Sequence, residues 1–92
     1  MALYLVNHTG SLAACLDVAS PACTILLLED GVYEGLHRER VTPLIEALRI
    51  VAIKDDVLTR GIQNRLPPSL PLISYTDFVE LTEQHSPIVS WF

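Results

Sequence analysis

The chain has 92 residues, of which 50% are hydrophobic and 18% are charged, and its formal net charge is -5. This length predicts one domain, 1–92, whose core cannot bury so much apolar material, so we expect a large interface with other subunits. The net negative charge argues against direct nucleic-acid binding, which requires a basic protein surface that displaces counterions from the phosphates.

The sequence contains no segment typical of secretion or of a membrane span. Residues 1–6 lack the basic flank of a signal peptide, and no apolar run approaches the length of a transmembrane helix. We therefore expect a cytoplasmic protein without membrane contact. Cys15 and Cys23 have no companion pair of Cys or His residues, so they predict free thiols rather than a disulfide framework or a metal site.

The first third of the chain predicts a βαβ unit. Leu3–Val6 is a short apolar strand, and residues 7–10 form the turn after it. Ser11 or Thr9 is expected to cap a helix with one apolar face, which carries Leu12, Cys15, Leu16 and Ala19. Residues 24–28 then predict a central parallel strand, because this run of apolar and branched side chains contains no charge.

The rest of the chain continues the alternation of helices and strands. Residues 37–40 are expected to form a solvated charged link, Pro43 to lie in the first turn of a short helix, and residues 50–53 to form a strand. Asp55 is expected to cap a helix over 56–60, followed by a strand at 72–74 and an amphipathic helix over 76–84. The apolar tail 88–92 has no internal partner in this scheme. The pattern predicts a three-layer α/β/α sandwich with a mainly parallel sheet of about four to five strands.

The polar stretch 29–35 directly follows the predicted central strand. Ligands and reactive groups usually gather beyond the carboxyl ends of such strands, so this loop is the first place to look for function. The alternative is a plain acidic turn in which Gly31 supplies backbone freedom. His8 could lie near Glu29 and Asp30 as a weak acid/base pair, whereas His37 and His85 are expected to be solvated. The carboxylates disfavour a phosphate loop, so a nucleotide-binding module stays only as an alternative that the fold permits.

Four segments and a tryptophan near the end of the chain carry a family resemblance. The segments are SLAACL at 11–16, LLLEDGVY at 26–33, DVLTRG at 56–61 and YTDFVELT at 75–82, and the tryptophan is Trp91. In order, spacing and total length they resemble the TusB/DsrH family of small sulfur-relay subunits. The chain departs from the family at Tyr4, where a His is usual, and at Thr9-Gly10, where Ser-Pro is usual.

The resemblance implies a flavodoxin-like (DsrEFH-like) subunit that joins TusC/DsrF-like and TusD/DsrE-like subunits in a heterohexamer. Alone, the chain could form homo-oligomers. Such complexes pass persulfide sulfur on, either toward 2-thiolation of the tRNA wobble uridine, which we favour slightly, or within dissimilatory sulfur oxidation. The resemblance places the principal sulfur-carrying cysteine on the TusD/DsrE-like partner and implies no cofactor. The chain would then be an accessory subunit, and whether it catalyses a step itself stays open.

Cys15 is the candidate sulfur carrier. Family members differ in whether they carry a cysteine at this position, and a thiol in the first turns of a helix is favoured as thiolate by the helix dipole. Its place on the apolar face instead favours burial as an inert packing residue, the role also expected of Cys23. Tyr33, Trp91 and Phe92 are candidate interface residues, because large aromatic side chains gain most when another subunit buries them. For the tail, disorder is the alternative.

Overall fold

The computed structural model describes residues 2–91, with Trp91 described by its backbone alone. Its strands are β1 (Leu3–Val6), β2 (Thr24–Leu27), β3 (Arg49–Ile53), β4 (Leu72–Ile73) and β5 (Ile88–Trp91). They form one sheet in the order β4-β3-β2-β1-β5, in which every neighbouring pair is parallel. The predicted parallel α/β sheet is therefore confirmed.

Helices cover both faces of this sheet. The α-helices within residues 2–91 are α1 (Ser11–Leu16), α2 (Arg38–Ala47), α3 (Lys54–Thr59) and α4 (Tyr75–Gln84), and Glu29–Leu36 and Gln63–Arg65 are 3₁₀ segments. On one face, Leu81 of α4 packs with Leu3, Leu26 and Val51 of the strands. On the other face a larger cluster joins alternate strand residues to α1, Glu29–Leu36, α2 and α3. These are the three layers that the sequence predicts.

Several local expectations are wrong. Residues 38–40 are solvated as expected, but they form the first turn of α2 and not a link, and Val41 of the same helix is buried. The stretch 29–35 is a 3₁₀ segment rather than a loop. The caps also differ, since Gly10 and Ile53 hold the N-cap positions of α1 and α3 without a side-chain hydrogen bond.

The expectation that the tail has no internal partner is also wrong. Residues 88–91 form β5, which pairs in parallel with β1 so that Leu3 faces Ile88 and Val6 faces Trp91. Leu3 N–H donates to the carbonyl of Pro87 at 3.0 Å where the pairing begins. The alternative of a disordered tail is therefore wrong for residues 88–91, because the backbone groups on the outer side of β1 need hydrogen-bond partners.

Gly31 is required for space and not for backbone freedom. A Cβ atom at this position would overlap the carbonyl oxygen of Val6, at the end of β1. Among residues 2–91, the positive φ angles are instead those of Glu29 at 50°, Gly10 at 88° and Gly61 at 65°. The 3₁₀ segment can therefore pass directly over the carboxyl end of β1, which brings its polar residues to that edge of the sheet.

Candidate functional site

A cluster of polar and aromatic side chains lies at the carboxyl edge of the sheet. Asp30 follows β2, Asp56 and Arg60 follow β3 in and just after α3, and Tyr75 opens α4 after β4. Because the strands are parallel, their carboxyl ends meet at one edge, where open α/β sheets usually place their functional groups. We call Asp30, Tyr33, Asp56, Arg60 and Tyr75 the carboxyl-edge cluster.

Arg60 is the centre of this cluster. Its Nε and Nη2 donate to Asp30 Oδ1 at 3.0 and 2.9 Å, and its Nη1 lies 3.9 Å from Asp56 Oδ1. The guanidinium carbon is 5.9 Å from the centre of the Tyr33 ring, within the range of a cation–π contact. The pKa of Arg60 is raised, chiefly because the hydrogen bonds that it donates to Asp30 stabilise the cation.

Asp56 of α3 connects the 3₁₀ segment and α4 through hydrogen bonds. Its Oδ2 accepts the backbone N–H of Glu29 at 2.7 Å, and its Oδ1 accepts the Tyr75 hydroxyl at 2.9 Å. The pKa of Tyr75 is raised, chiefly because its hydroxyl donates a hydrogen bond to Asp56 and then because of burial, and the charges of Asp56, Asp55 and Glu29 add to this effect. The cluster is thus an ordered surface of Arg and Tyr side chains, the residue types that dominate protein–protein contacts.

His8 lies in the loop between β1 and α1. Its Nδ1 is 2.8 Å from the carbonyl oxygen of Thr9, and its Nε2 is 2.9 Å from the hydroxyl of Ser11. The hydroxyl beside His8 is not among the features predicted from the sequence. In the same loop, Gly10 donates its N–H to the buried carboxylate of Glu34 at 2.8 Å. This hydrogen bond holds the loop against the 3₁₀ segment. The pairing of His8 with Glu29 and Asp30 stays a prediction.

Cys15 lies on the buried face of α1. It has no exposed surface and belongs to the main core cluster. Burial raises the pKa of its thiol from 9.0 to about 11, and the nearby Cys23 adds to the rise. The expected benefit from the helix dipole is therefore outweighed by desolvation. The role of Cys15 as a sulfur carrier stays a prediction, and this geometry favours the alternative of a packing residue.

Cys23 differs from Cys15 in its polar surroundings. Its Sγ lies 3.4 Å from the hydroxyl of Ser20, and its side chain is 8% exposed. The pKa of Cys23 is lowered, chiefly because Ser20 hydrogen-bonds the sulfur through its side chain and then its backbone, and Tyr4 contributes a further hydrogen bond. The pKa of Tyr4 is raised, first by burial and then by its hydrogen bond with Cys23. Of the two thiols, Cys23 is the one whose thiolate the structure stabilises.

From the sequence, Cys23 is expected to be only a small core residue. The missed signal is the spacing Ser20-Pro21-Ala22-Cys23, a turn in which Cys23 N–H donates to the Ser20 carbonyl at 2.9 Å. That turn brings the Ser20 hydroxyl back to the sulfur. Tyr4 could not be found in the same way, because it reaches Cys23 from the neighbouring strand.

The structure places only one side chain of the candidate interface residues, and it separates the two histidines that were expected to be solvated. Tyr33 is half-buried against Arg60, while Phe92 and the side chain of Trp91 lie outside the described residues. His37 is exposed, as predicted. The prediction that His85 is solvated is wrong, because His85 is 5% exposed and its Nε2 lies 2.9 Å from Thr24 Oγ1 in the core.

Two further observations concern metal binding and membrane contact. Within residues 2–91, no three His, Cys, Asp or Glu side chains gather in a way that could hold a metal ion. No helix in this part of the chain combines the length and the apolar character needed to cross a membrane.

The fold places the chain in a class of small parallel α/β proteins. A family model described as DsrH like protein matches residues 6–88. Protein TusB of Sodalis glossinidius is 39% identical, covering 91% of this chain and 90% of that protein, and TusB of Yersinia pestis (strain Pestoides F) is 35% identical, covering 97% and 99%. The solution NMR structure of protein Tm0979 from Thermotoga maritima matches with a TM-score of 0.67 and 33% identity, covering 91% of this chain and 93% of that one. The chain belongs to the DsrH/TusB family.

Proposed function

We propose that the chain is an accessory subunit of a hetero-oligomeric sulfur-relay complex that serves 2-thiolation of the tRNA wobble uridine. Membership of the DsrH/TusB family supports a sulfur-relay subunit and is the observation that carries the proposal. In this proposal the chain acts in the cytoplasm, with TusC/DsrF-like and TusD/DsrE-like subunits as partners in a heterohexamer. The TusD/DsrE-like partner supplies the principal sulfur-carrying cysteine.

The burial of Cys15 supports the accessory role. A persulfide is attacked by a thiolate, whereas Cys15 is fully buried with a pKa raised to about 11, so its thiol is protonated at neutral pH. For Cys15 to accept sulfur, α1 would have to move away from the sheet. In the proposal Cys15 therefore stabilises the core of this subunit and leaves the chemistry to its partner.

The carboxyl-edge cluster supports the assembly part of the proposal. Arg60 is held by Asp30 and Asp56, so its orientation is set before a partner arrives and little side-chain entropy remains to be lost on binding. Tyr75 is 46% exposed. We assign this cluster, with Tyr33 against Arg60, to contact with a partner subunit.

A second candidate function is a direct role in sulfur transfer, as in a DsrH-like subunit of dissimilatory sulfur oxidation. The observation that favours it is the lowered pKa of Cys23 between the Ser20 and Tyr4 hydroxyls. The Cys23 thiolate would attack the outer sulfur of a donor persulfide, R–S–SH, forming Cys–S–SH and releasing the donor as a thiolate. The electron pair of the broken S–S bond leaves with the donor, so no external oxidant is required.

Co-expression with TusC-like and TusD-like subunits tests the main proposal. We expect the three chains to co-purify, and deletion of the gene for this chain to abolish 2-thiouridine in tRNA. Binding to the partners with unchanged tRNA and impaired sulfur oxidation would move the chain to the other pathway. Failure to bind any related subunit, with unchanged 2-thiouridine, would refute the proposal.

Mass spectrometry after exposure to a persulfurated donor separates the accessory role from the carrier role. The matched samples are the wild type, Cys15→Ser and Cys23→Ser, each within the complex. The accessory role predicts added sulfur on the partner subunit and none on this chain in any sample. One added sulfur atom on the wild type that Cys23→Ser removes would establish the second candidate, and removal by Cys15→Ser would restore Cys15 as the carrier.

A further inference from the structure

The two edges of the sheet are built differently. At one edge β4 has only two residues, Leu72–Ile73. A very short edge strand is a common means of preventing a further strand from pairing. At the other edge β5 runs over four residues, Ile88–Trp91, without a proline, a charged residue or a bulge. The β5 edge therefore lacks the features that normally block strand addition.

The backbone groups on the outer side of β5 follow from its register with β1. Leu3 faces Ile88 and its N–H donates to the Pro87 carbonyl, so the groups of Val89 point inward to β1 in the parallel pattern. The N–H and C=O of Ile88 and Ser90 point away from β1. Among residues 2–91, no backbone partner for these outward groups is found beyond the edge.

The side chain of Ile88 is also incompletely covered. Leu3, its register partner on β1, points to the sheet face that α4 covers, so Ile88 points to the same face. Ile88 is nevertheless 46% exposed. An apolar side chain and unsatisfied backbone groups thus lie together at one edge.

Charge is almost absent from this side of the molecule. Asp17 is the only Asp, Glu, Lys or Arg in residues 2–28 and 84–91, which build β1, α1, β2 and β5, whereas the other sixteen such residues lie within 29–83. The centre of a protein–protein interface is typically depleted of charge. Two copies of a chain with a net charge of -5 repel each other, and they can approach most closely where carboxylates are absent.

We propose that the β5 edge is a strand-pairing interface between two copies of this chain. β5 pairs antiparallel with β5 of the second copy about a two-fold axis that passes beside Val89, and the sheet continues across the axis. In this register Ile88 exchanges both backbone hydrogen bonds with Ser90 of the second copy, and Ser90 exchanges both with Ile88 of the second copy. The pairing satisfies the outward groups and buries Ile88. It does not depend on the sulfur-relay proposal, because it concerns the isolated chain.

The dissociation constant of the isolated chain, measured by analytical ultracentrifugation over a dilution series, tests this interface. Ser90→Pro removes an outward N–H while it leaves the inward groups of β5 free to pair with β1. Ile88→Lys places a positive charge next to the axis in both copies. Either change is expected to raise the dissociation constant by about tenfold or more. The matched control is Val79→Lys, which changes an apolar side chain of similar exposure on α4 and should leave the constant unchanged.

Amide hydrogen exchange on the wild type provides a measurement that does not depend on the variants. The amides of Ile88 and Ser90 should be protected when the chain is concentrated and should lose this protection on dilution, while the Val89 amide stays protected by β1. A chain that is monomeric at every concentration would overturn the proposal. It would also be overturned by a dimer that only Val79→Lys dissociates, or by protection of Ile88 and Ser90 that appears only when a related subunit is added.

Discussion

Thr24 Oγ1 lies 2.9 Å from His85 Nε2, and both residues are buried. The hydrogen bond joins the start of β2 to the residue that follows α4, 61 positions along the chain. His85 Nδ1 is 2.8 Å from the carbonyl oxygen of Leu81. A carbonyl only accepts, so Nδ1 carries the proton and Nε2 accepts the Thr24 hydroxyl. His85 thus holds the C-terminal end of α4 to the sheet, just before the chain enters β5.

Replacement of His85 tests this connection. His85→Ala leaves the Thr24 hydroxyl buried without a partner and opens a cavity, so we expect the free energy of unfolding to fall by about 2 kcal/mol or more. The exposed His37 is the matched control, and His37→Ala should change stability by less than about 0.5 kcal/mol. Denaturant unfolding of both variants is the measurement. Equal stabilities would show that the buried hydrogen bond contributes nothing.

Gly31→Ala tests the close approach of the 3₁₀ segment to β1. The added Cβ meets the Val6 carbonyl, which cannot move without disturbing the sheet, so we expect a loss of at least about 3 kcal/mol. Gly61→Ala is the control, because Gly61 has a φ of 65° but open space around it. Backbone strain alone should cost that variant about 1 kcal/mol. Thermal unfolding that ranks Gly61→Ala as the more damaging change would contradict the packing argument.

The two carboxylates that face Arg60 are expected to contribute unequally to stability. Asp30 is 63% exposed in its side chain, so Asp30→Ala should cost less than about 1 kcal/mol, as surface ion pairs usually do. Asp56 is 13% exposed and also accepts hydrogen bonds from Glu29 N–H and the Tyr75 hydroxyl, so Asp56→Ala should cost about 2 kcal/mol. Denaturant unfolding checks the order, and a larger loss for Asp30→Ala would refute it.

Cys15 is expected to make the free energy of unfolding depend on pH in the alkaline range. Its pKa in the folded chain is about 11, against 9.0 for an unperturbed thiol, so the unfolded chain releases this proton at lower pH. The contribution is fully present below about pH 9 and is lost as the pH rises toward 11. We expect the unfolding free energy of Cys15→Ala to decline less steeply than that of the wild type between about pH 8 and pH 11. The raised pKa of Tyr75 has no contribution from Cys15 and affects both proteins alike. Cys15 adds to the raised pKa of Tyr4, so its removal also weakens the Tyr4 effect, in the same direction. If the unfolding free energies of the two proteins fell in parallel with pH, burial would not raise the pKa of Cys15.

The order of strands and helices could be read from the sequence because each element depends mainly on its own residues. The uncharged run at residues 24–28 predicts a buried parallel strand, and β2 spans Thr24–Leu27 with all of its residues buried. The apolar face that carries Leu12 and Cys15 likewise predicts the buried side of α1. The family resemblance also depends on the sequence alone, since it lies in the order and spacing of short segments.

The chemistry of the two thiols was decided only by the tertiary structure. Neither cysteine has a charged neighbour in the sequence, but the pKa of a thiol depends on how far it is desolvated and on which donors reach its sulfur. Cys15 loses its water to the core, whereas Cys23 gains hydrogen bonds from Ser20 and from Tyr4 on the adjacent strand. The contact with Tyr4 joins residues 19 positions apart and exists only once β1 and β2 have paired.

The same distinction explains the tail and His85. The apolar composition of residues 88–92 is compatible with a disordered end or a strand, and it is the unpaired edge of β1, more than eighty positions earlier, that selects the strand. His85 follows a run of polar residues and has the local pattern of a solvated side chain. It is buried because the path from α4 to β5 crosses the start of β2, where Thr24 supplies a hydrogen-bond donor. Local sequence determined the elements of this protein, and long-range hydrogen bonding and desolvation determined which of its polar groups are buried, paired or available.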